Sequence, residues 1–181
     1  MLFRSWRKTP QRLDAESVRD AVLTVSGELN PSLGGPGFRD FRTFNFNSQF
    51  YEMIDPEGYD FHRRTLYRTW VRSGRSDFLD AFDCPDPSTT APRRAVTTTP
   101  LQALAMLNNS FTLRMAGRMA QRVVSEVGQE LNRQAERACQ LAWGRLPTET
   151  ERQVSGEFLT EHGLSALCRL LFNSNEFLYV D

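Results

Sequence analysis

The chain has 181 residues, 40% of them hydrophobic and 24% charged, which suits one domain with a sizeable core. Its 22 basic and 22 acidic side chains cancel, and this balance argues against nonspecific binding to nucleic acid or to an anionic membrane surface. No stretch approaches the roughly 20 consecutive apolar residues of a membrane span. The opening stretch 1–16 is too polar for the apolar region of a signal peptide.

Residues 1–37 are expected to form a helix followed by a loop. Asp14 suits a helix N-cap, and four apolar residues follow it on one helical face. These residues are Val18, Ala21, Val22 and Val25. The prolines and glycines of "NPSLGGPG" in 30–37 predict that the helix ends there.

Residues 38–82 are rich in aromatic side chains, with eight of the 13 Phe and three of the four Tyr. Two stretches, 41–54 and 64–73, combine aromatic and β-branched residues, which predicts strands that could form a small antiparallel pair. The arginine spacing of the second stretch also fits a helix, so both alternatives remain open there. On a strand, five residues would share one face: Arg64, Leu66, Arg68, Trp70 and Arg72.

Residues 83–181 are expected to be helical, with clear boundaries. Residues 108–109 divide one helical stretch in two, and Gly144 suits the end of another. Two capping boxes predict helix starts: Thr99 with Gln102, and Thr148 with Glu151. The sequence therefore predicts one domain, 1–181, that is mainly α with a small β element (α+β), an irregular helical domain with an inserted strand pair.

Cys84 is the candidate nucleophile. The other two cysteines, Cys139 and Cys168, lie at helical spacing among apolar residues and are expected to behave as small hydrophobes. A catalytic thiol needs a base within hydrogen-bond reach, and of the two histidines only His62 could serve. The aspartates on either side of Cys84 would raise the pKa of its thiol rather than lower it. No catalytic residue is therefore predicted.

Three aspartates at three-residue spacing, Asp80, Asp83 and Asp86, raise the possibility of a metal site. The stretch lacks the ligand order and the central glycine of a calcium loop. Its prolines favour turns in which an aspartate accepts from nearby backbone N–H groups. Arg93 and Arg94 are expected to pair with Asp83 and Asp86, because a guanidinium can bind a carboxylate through two bonds. The prediction is a tied loop, with no metal and no cofactor.

A candidate binding face combines arginine with an aromatic ring. The stretch "HRRTLYRTWVRSGR" contains no acidic residue. Arg68, Trp70 and Arg72, with Arg93 and Arg94, could stack on a sugar or hold an anionic group. Alternatively, the aromatic rings are core and the arginine stems cover apolar surface. Both interpretations remain open.

Seven blocks of the sequence carry a family resemblance: "RLDAESVRDAVLTVSG", "GGPG", "RRTLYRTWVRS", "AFDCPDP", "RRAVTTTPLQALAMLNNS", "AWGRLPTETE" and "LFNSNEFLYVD". In this order they resemble the C-terminal domain of unknown function of planctomycete-type, cytochrome c-associated multidomain surface proteins. The resemblance covers nearly the whole chain from about residue 12 onward.

The resemblance implies architecture rather than chemistry. Family members usually carry a signal peptide, a cytochrome c domain and a second uncharacterised domain upstream, which implies a periplasmic or cell-surface location. This chain has no CxxCH haem-attachment motif, so haem would belong to an upstream domain. The chain is therefore expected to be a fragment of a larger protein or a truncated gene product, with the upstream domains as partners. No catalytic residues are established for the family.

Two functional hypotheses follow. The first is a non-enzymatic accessory or interaction module of an exported multidomain protein, because no nucleophile–base pair, metal motif or phosphate-binding loop is present in the sequence. The alternative is part of an enzyme, or a binding module, that acts on anionic or sulfated polysaccharide. In that case the arginines and Trp70 would form the binding face.

Overall fold

A computed structural model describes residues 10–180. Residues 1–9 lie outside it. That the opening stretch is too polar for a signal peptide therefore stays a prediction. The described residues form helices α1 (Ala15–Ser26), α2 (Asp77–Ala81), α3 (Pro100–Asn108), α4 (Ser110–Val127), α5 (Leu131–Trp143), α6 (Glu149–His162), α7 (Leu164–Phe172) and α8 (Asn175–Leu178). They also form strands β1 (Gln11–Arg12), β2 (Phe41–Phe46), β3 (Ser48–Met53) and β4 (Tyr179–Val180). The mainly α fold with a small β element is confirmed.

Helix α4 lies at the centre of the helical part and packs against α1, α3, α5 and α7. Its inward face carries Met115, Met119 and Val123, each at most 1% exposed. Burying an apolar side chain of this size stabilises the fold by about 1.5–3 kcal/mol. Cys139 and Cys168 are fully buried in the same core, as expected of small hydrophobes.

The predicted helix boundaries are confirmed because capping is a local interaction. The Asp14 carboxylate accepts from the Ser17 amide at 2.9 Å at the start of α1. Both predicted capping boxes are present, at the starts of α3 and α6. Asn109 caps α4 by accepting from the Phe111 amide at 3.0 Å, which separates α3 from α4.

Strands β2 and β3 form an antiparallel hairpin in which Phe41 pairs with Met53 and Phe46 with Ser48. The strand pair therefore lies wholly within the first of the two predicted stretches. The prediction of a strand over 64–73 is wrong. That stretch begins with a 3₁₀ turn, Thr65–Tyr67, and continues as extended chain with single bridges.

Polar contacts with α1 hold the 3₁₀ turn in place. The Asp20 carboxylate accepts from the Thr65 amide at 2.8 Å and from the Thr65 hydroxyl at 2.7 Å. Thr65 is completely buried by this contact. A side chain of α1 thus supplies the hydrogen bonds that a neighbouring strand would otherwise supply.

The two ends of the described chain meet, because β1 pairs antiparallel with β4. This pair holds Arg12 next to the loop after α2, where it contacts the predicted site residue Asp83. Among residues 10–180, no helix combines the length and apolar character needed to cross a membrane.

Candidate functional site

The predicted binding face is not formed as one surface. Arg68 is 4% exposed, and its Nε donates to the Asp40 carboxylate at 2.6 Å. Its guanidinium lies 4.5 Å from the centre of the Trp70 ring, which is 38% exposed. Arg72 is exposed, and its backbone carbonyl accepts from the Ser88 hydroxyl. A shared strand face for Arg68, Trp70 and Arg72 is therefore ruled out.

Asp83 does not pair with Arg93 or Arg94, and that prediction is wrong. Its carboxylate accepts from Arg12 at 2.6 Å and from the Thr97 amide and hydroxyl at 2.8 and 2.7 Å. Burial raises the pKa of Asp83, but the hydrogen bonds from Thr97 and Arg12 outweigh it, so the pKa lies below its usual value. Through these hydrogen bonds, Asp83 connects the loop after α2 to β1.

Asp86 and Arg94 also have partners other than those predicted. The Asp86 carboxylate accepts from the Ser88 amide at 2.7 Å, the turn contact expected from this sequence, and it lies 3.8 Å from Arg75. Arg94 binds both carboxylate oxygens of Glu16, at 2.7 and 2.9 Å.

Arg93 is exposed and forms no ion pair with another residue of the described part. No group of three or more His, Cys, Asp or Glu side chains within residues 10–180 is placed to hold a metal ion.

Three of the predicted residues, Trp70, Asp86 and Arg94, line one surface depression, which we call the Trp70 cleft. Its charged lining residues are Asp14, Glu16, Asp20, Arg64, Asp86 and Arg94. Four carboxylates thus face two guanidinium groups, so the cleft has an excess of negative charge. It is better suited to a neutral or cationic group than to an anion.

Cys84 lies in the wall of the Trp70 cleft and is 8% exposed. Burial, with a smaller contribution from Glu16, raises the pKa of its thiol to about 11. The thiol is therefore protonated at neutral pH. His62, the candidate base, does not line this cleft.

A second cavity, of about 220 Å³, lies between α1, the base of the hairpin, the start of α2 and the junction of α3 with α4. We call it the Arg19 cavity. Its polar walls include Arg19, Asp40, Asp55, His62 and Asp77. Sequence reasoning did not single out this group, because its members are separated along the chain and no spacing pattern connects them.

Arg19 forms part of the wall and is held there by three acceptors. Its guanidinium donates to the carbonyl oxygens of Phe61 and Arg63 at 2.7 and 3.0 Å, and to the Thr65 hydroxyl at 3.2 Å. It also lies over the rings of Phe38 and Phe111, 5.2 and 5.6 Å from their centres. Burial lowers the pKa of Arg19 to about 10, which leaves it charged at pH 7.

Asp55 lies on the opposite wall and is held as a carboxylate. Arg114 donates to both of its oxygens at 2.5 and 2.6 Å, and the Ser110 hydroxyl donates at 2.6 Å. Burial raises the pKa of Asp55, but these hydrogen bonds outweigh it and the pKa is lowered.

His62 is 6% exposed, and its Nδ1 lies 3.2 Å from the Glu28 carboxylate. Burial lowers the pKa of His62; Glu28 raises it, Arg19 and Arg114 lower it further, and the net direction is down. The folded protein therefore favours the neutral imidazole.

We expect the free energy of unfolding to decrease as the pH falls from about 7 to 5. The unfolded chain has the higher His62 pKa, near 6.5, so it binds the proton first and is favoured by acid. His62→Gln should flatten this part of the stability curve, measured by urea unfolding at several pH values. His162→Gln is the matched control, since the chain has two histidines and His162 is largely exposed. An equal flattening by both substitutions would contradict the assignment to His62.

The fold defines a mainly helical domain with a projecting hairpin and a polar, aromatic-walled cavity at its base. A family model for PSD1, a protein of unknown function (DUF1553), matches residues 4–159. The match spans most of the chain, and the chain belongs to this family. Comparison with curated proteins and with solved structures found no match.

Proposed function

We propose that this domain is a non-enzymatic accessory or interaction module of an exported multidomain protein. The outer face of the β2–β3 hairpin is its contact surface, and another domain of the same polypeptide is its partner. The observation that carries the proposal is a pair of aromatic rings, Phe44 and Phe50, that lies on this face and is left open to solvent.

The two faces of the hairpin differ in exposure. Tyr51 and Met53 point to the inner face and are partly buried, whereas Phe44 and Phe50 on the outer face are 51% and 45% exposed. Phe44 lies directly opposite Phe50 in the register, and the two rings stack with centres 5.8 Å apart. Exposed aromatic rings that form one continuous patch are typical of a protein contact surface.

The hairpin also has little support from the rest of the domain. In the described part of the chain, β2 and β3 pair only with each other. An isolated two-stranded hairpin is marginally stable in water, and its open edges invite pairing with another chain. A partner that covers the outer face would bury the exposed rings and stabilise the hairpin, by about 25 cal/mol for each Å² of apolar surface buried.

The charges of the outer face indicate what kind of partner fits. Arg42 lies directly opposite Glu52, next to the aromatic pair, and both are exposed. One positive and one negative side chain beside an apolar centre suit a folded protein surface rather than a polyanion. The resemblance to cytochrome c-associated proteins supports an upstream cytochrome c domain or second uncharacterised domain as this partner, in the periplasm or at the cell surface.

The double substitution Phe44→Thr and Phe50→Thr tests this proposal. Threonine keeps the strand propensity and removes the rings. We expect binding to the separately expressed upstream domains of a family member, measured by biolayer interferometry, to weaken at least tenfold. Leu66→Thr is the matched control, because Leu66 is 74% exposed and lies outside the hairpin. Equal binding by the double variant and the wild type would overturn the choice of surface.

The alternative function, action on anionic or sulfated polysaccharide, has weaker support. Asp40 neutralises Arg68 and Glu16 neutralises Arg94, so two of the four proposed anion contacts are already occupied. The Trp70 cleft carries an excess of carboxylates, which would repel a polyanion. Of the four arginines, Arg72 and Arg93 are exposed and have no ionic partner in the described part of the chain.

A further inference from the structure

We propose that the Arg19 cavity binds a neutral, hydroxyl-rich small molecule about the size of one sugar ring. The site is separate from the hairpin surface of the proposed function, since Phe44 and Phe50 do not line it. Four properties of the cavity lead to this ligand class: its charge balance, its unpaired polar atoms, its aromatic walls and its volume.

The buried charges of the cavity are balanced. Arg68 donates to Asp40 at 2.6 Å, and Arg114 holds Asp55 through two bonds. Arg19 lies 3.9 Å from Asp20, and Arg75, also in the wall, donates to Asp80 at 2.8 Å. Asp77 adds a negative charge at the exposed rim. An ammonium ligand would meet the Arg19 guanidinium and an anionic ligand would meet these carboxylates. A neutral ligand avoids both repulsions.

The Asp40–Arg68 pair retains polar atoms that have no hydrogen-bond partner among the described residues. They are Asp40 Oδ1 and the two terminal nitrogens of Arg68, all buried. Buried polar atoms of this kind are rare in folded proteins, because each unpaired group is costly. Asp40 itself lines the cavity. Arg68 is not among the lining residues, and its guanidinium lies over the Trp70 ring. A hydroxyl group suits Asp40, because it can donate to a carboxylate while remaining uncharged.

The aromatic walls of the cavity suit the apolar face of such a ligand. Phe38, Phe61, Phe78 and Phe111 line the cavity, and the rings of Phe78 and Phe111 pack edge to face with centres 5.3 Å apart. The C–H face of a sugar ring is apolar and can pack against aromatic rings of this kind.

The size of the cavity limits the ligand. Its volume of about 220 Å³ is below the roughly 300–1,000 Å³ of a site for a drug-sized molecule. One ring with its hydroxyl groups, or a smaller polyol, suits a cavity of this volume.

Saturation-transfer NMR and calorimetry with single sugars test the inference. The probes are glucose, galactose, mannose and fucose as neutral sugars, with glucosamine as the cationic and glucuronate as the anionic analogue. We expect saturable binding of at least one neutral sugar, and binding of the charged analogues at least tenfold weaker. Binding of none of the neutral sugars, or stronger binding of a charged analogue, would overturn the proposal.

Two variants locate the binding. Ser76→Phe places a ring in the cavity and removes no capping bond, since the Ser76 side chain makes none. Asp77→Asn changes a rim acceptor that has no ionic partner in the described part of the chain. Both should fold normally, by circular dichroism, and weaken the sugar affinity, the first at least tenfold.

Asp86→Asn is the control for a general effect of carboxylate loss. Asp86 lies in the Trp70 cleft, and an amide oxygen can still accept from the Ser88 amide. Its sugar affinity should equal that of the wild type. Unchanged affinity in folded Ser76→Phe, or an equal loss in Asp86→Asn, would show that the sugar binds elsewhere and would overturn the assignment to the Arg19 cavity.

Discussion

Asp40→Ala is expected to lower the free energy of unfolding by about 3–5 kcal/mol. The side chain of Arg68 is 1% exposed, and Asp40, 2.6 Å away, is its only ionic partner in the described residues. Removing the carboxylate leaves a buried guanidinium without a counter-charge, which is one of the most destabilising single changes in a folded protein. Urea unfolding followed by circular dichroism measures the loss.

The double variant Asp40→Ala with Arg68→Met separates this cause from a simple loss of packing. Methionine keeps an apolar stem under the Trp70 ring and carries no charge. We expect the double variant to be more stable than Asp40→Ala alone, because the unpaired charge is gone. If Asp40→Ala unfolds within about 1 kcal/mol of the wild type, Arg68 is not held by Asp40 in solution.

Asp83→Ala is expected to cost a similar amount, about 3–5 kcal/mol. Its partner Arg12 has a side chain that is 4% exposed, and the substitution also removes the two bonds from Thr97. Asp83 has a backbone φ of 62°, a conformation that aspartate tolerates better than alanine. Asp86→Ala is the matched control, because the partly exposed Asp86 carboxylate bonds mainly within its own turn, so its loss should cost much less stability.

The contacts of Asp83 also predict how the free energy of unfolding responds to acid. The pKa of Asp83 in the folded state is lowered, so its contribution is present above the unfolded value of about 3.8 and is lost as the pH falls through the folded value. Asp83→Ala should therefore lose less stability than the wild type between about pH 5 and 2. Parallel acid unfolding curves for the two proteins would contradict this role of Asp83.

The helical half of the chain could be predicted in detail because its determinants are local. A capping box places its two partners three residues apart, so Thr99 with Gln102 and Thr148 with Glu151 are visible in any sequence. The division at Asn109 and the end at Gly144 follow from the same short-range geometry. The hairpin was also predictable over 41–54, since alternation and β-branched residues act over a few positions.

The ion-pair partners of the charged residues could not be predicted from such local patterns. The sequence suggested that Asp83 and Asp86 pair with the nearby Arg93 and Arg94, but Arg12 holds Asp83 from 71 residues away and Glu16 holds Arg94 from 78 residues away. An ion pair needs two groups within about 4 Å in space, and separation along the chain does not determine that distance. The stretch 64–73 was misassigned for a related reason. Its backbone is held by Asp20 of α1 and its Arg68 by Asp40, and neither contact lies within the stretch.

By itself, the sequence determined the helical class, most helix boundaries and the hairpin. Only the tertiary structure decided which carboxylate meets which guanidinium, which aromatic pair stays open on the hairpin, and that Arg19, Asp40, Asp55 and His62 surround one cavity. The physical reason is the distance along the chain over which each interaction acts. Capping, periodicity and turns act within a few residues, whereas burial, charge pairing and cavities depend on segments that meet only after the chain has folded.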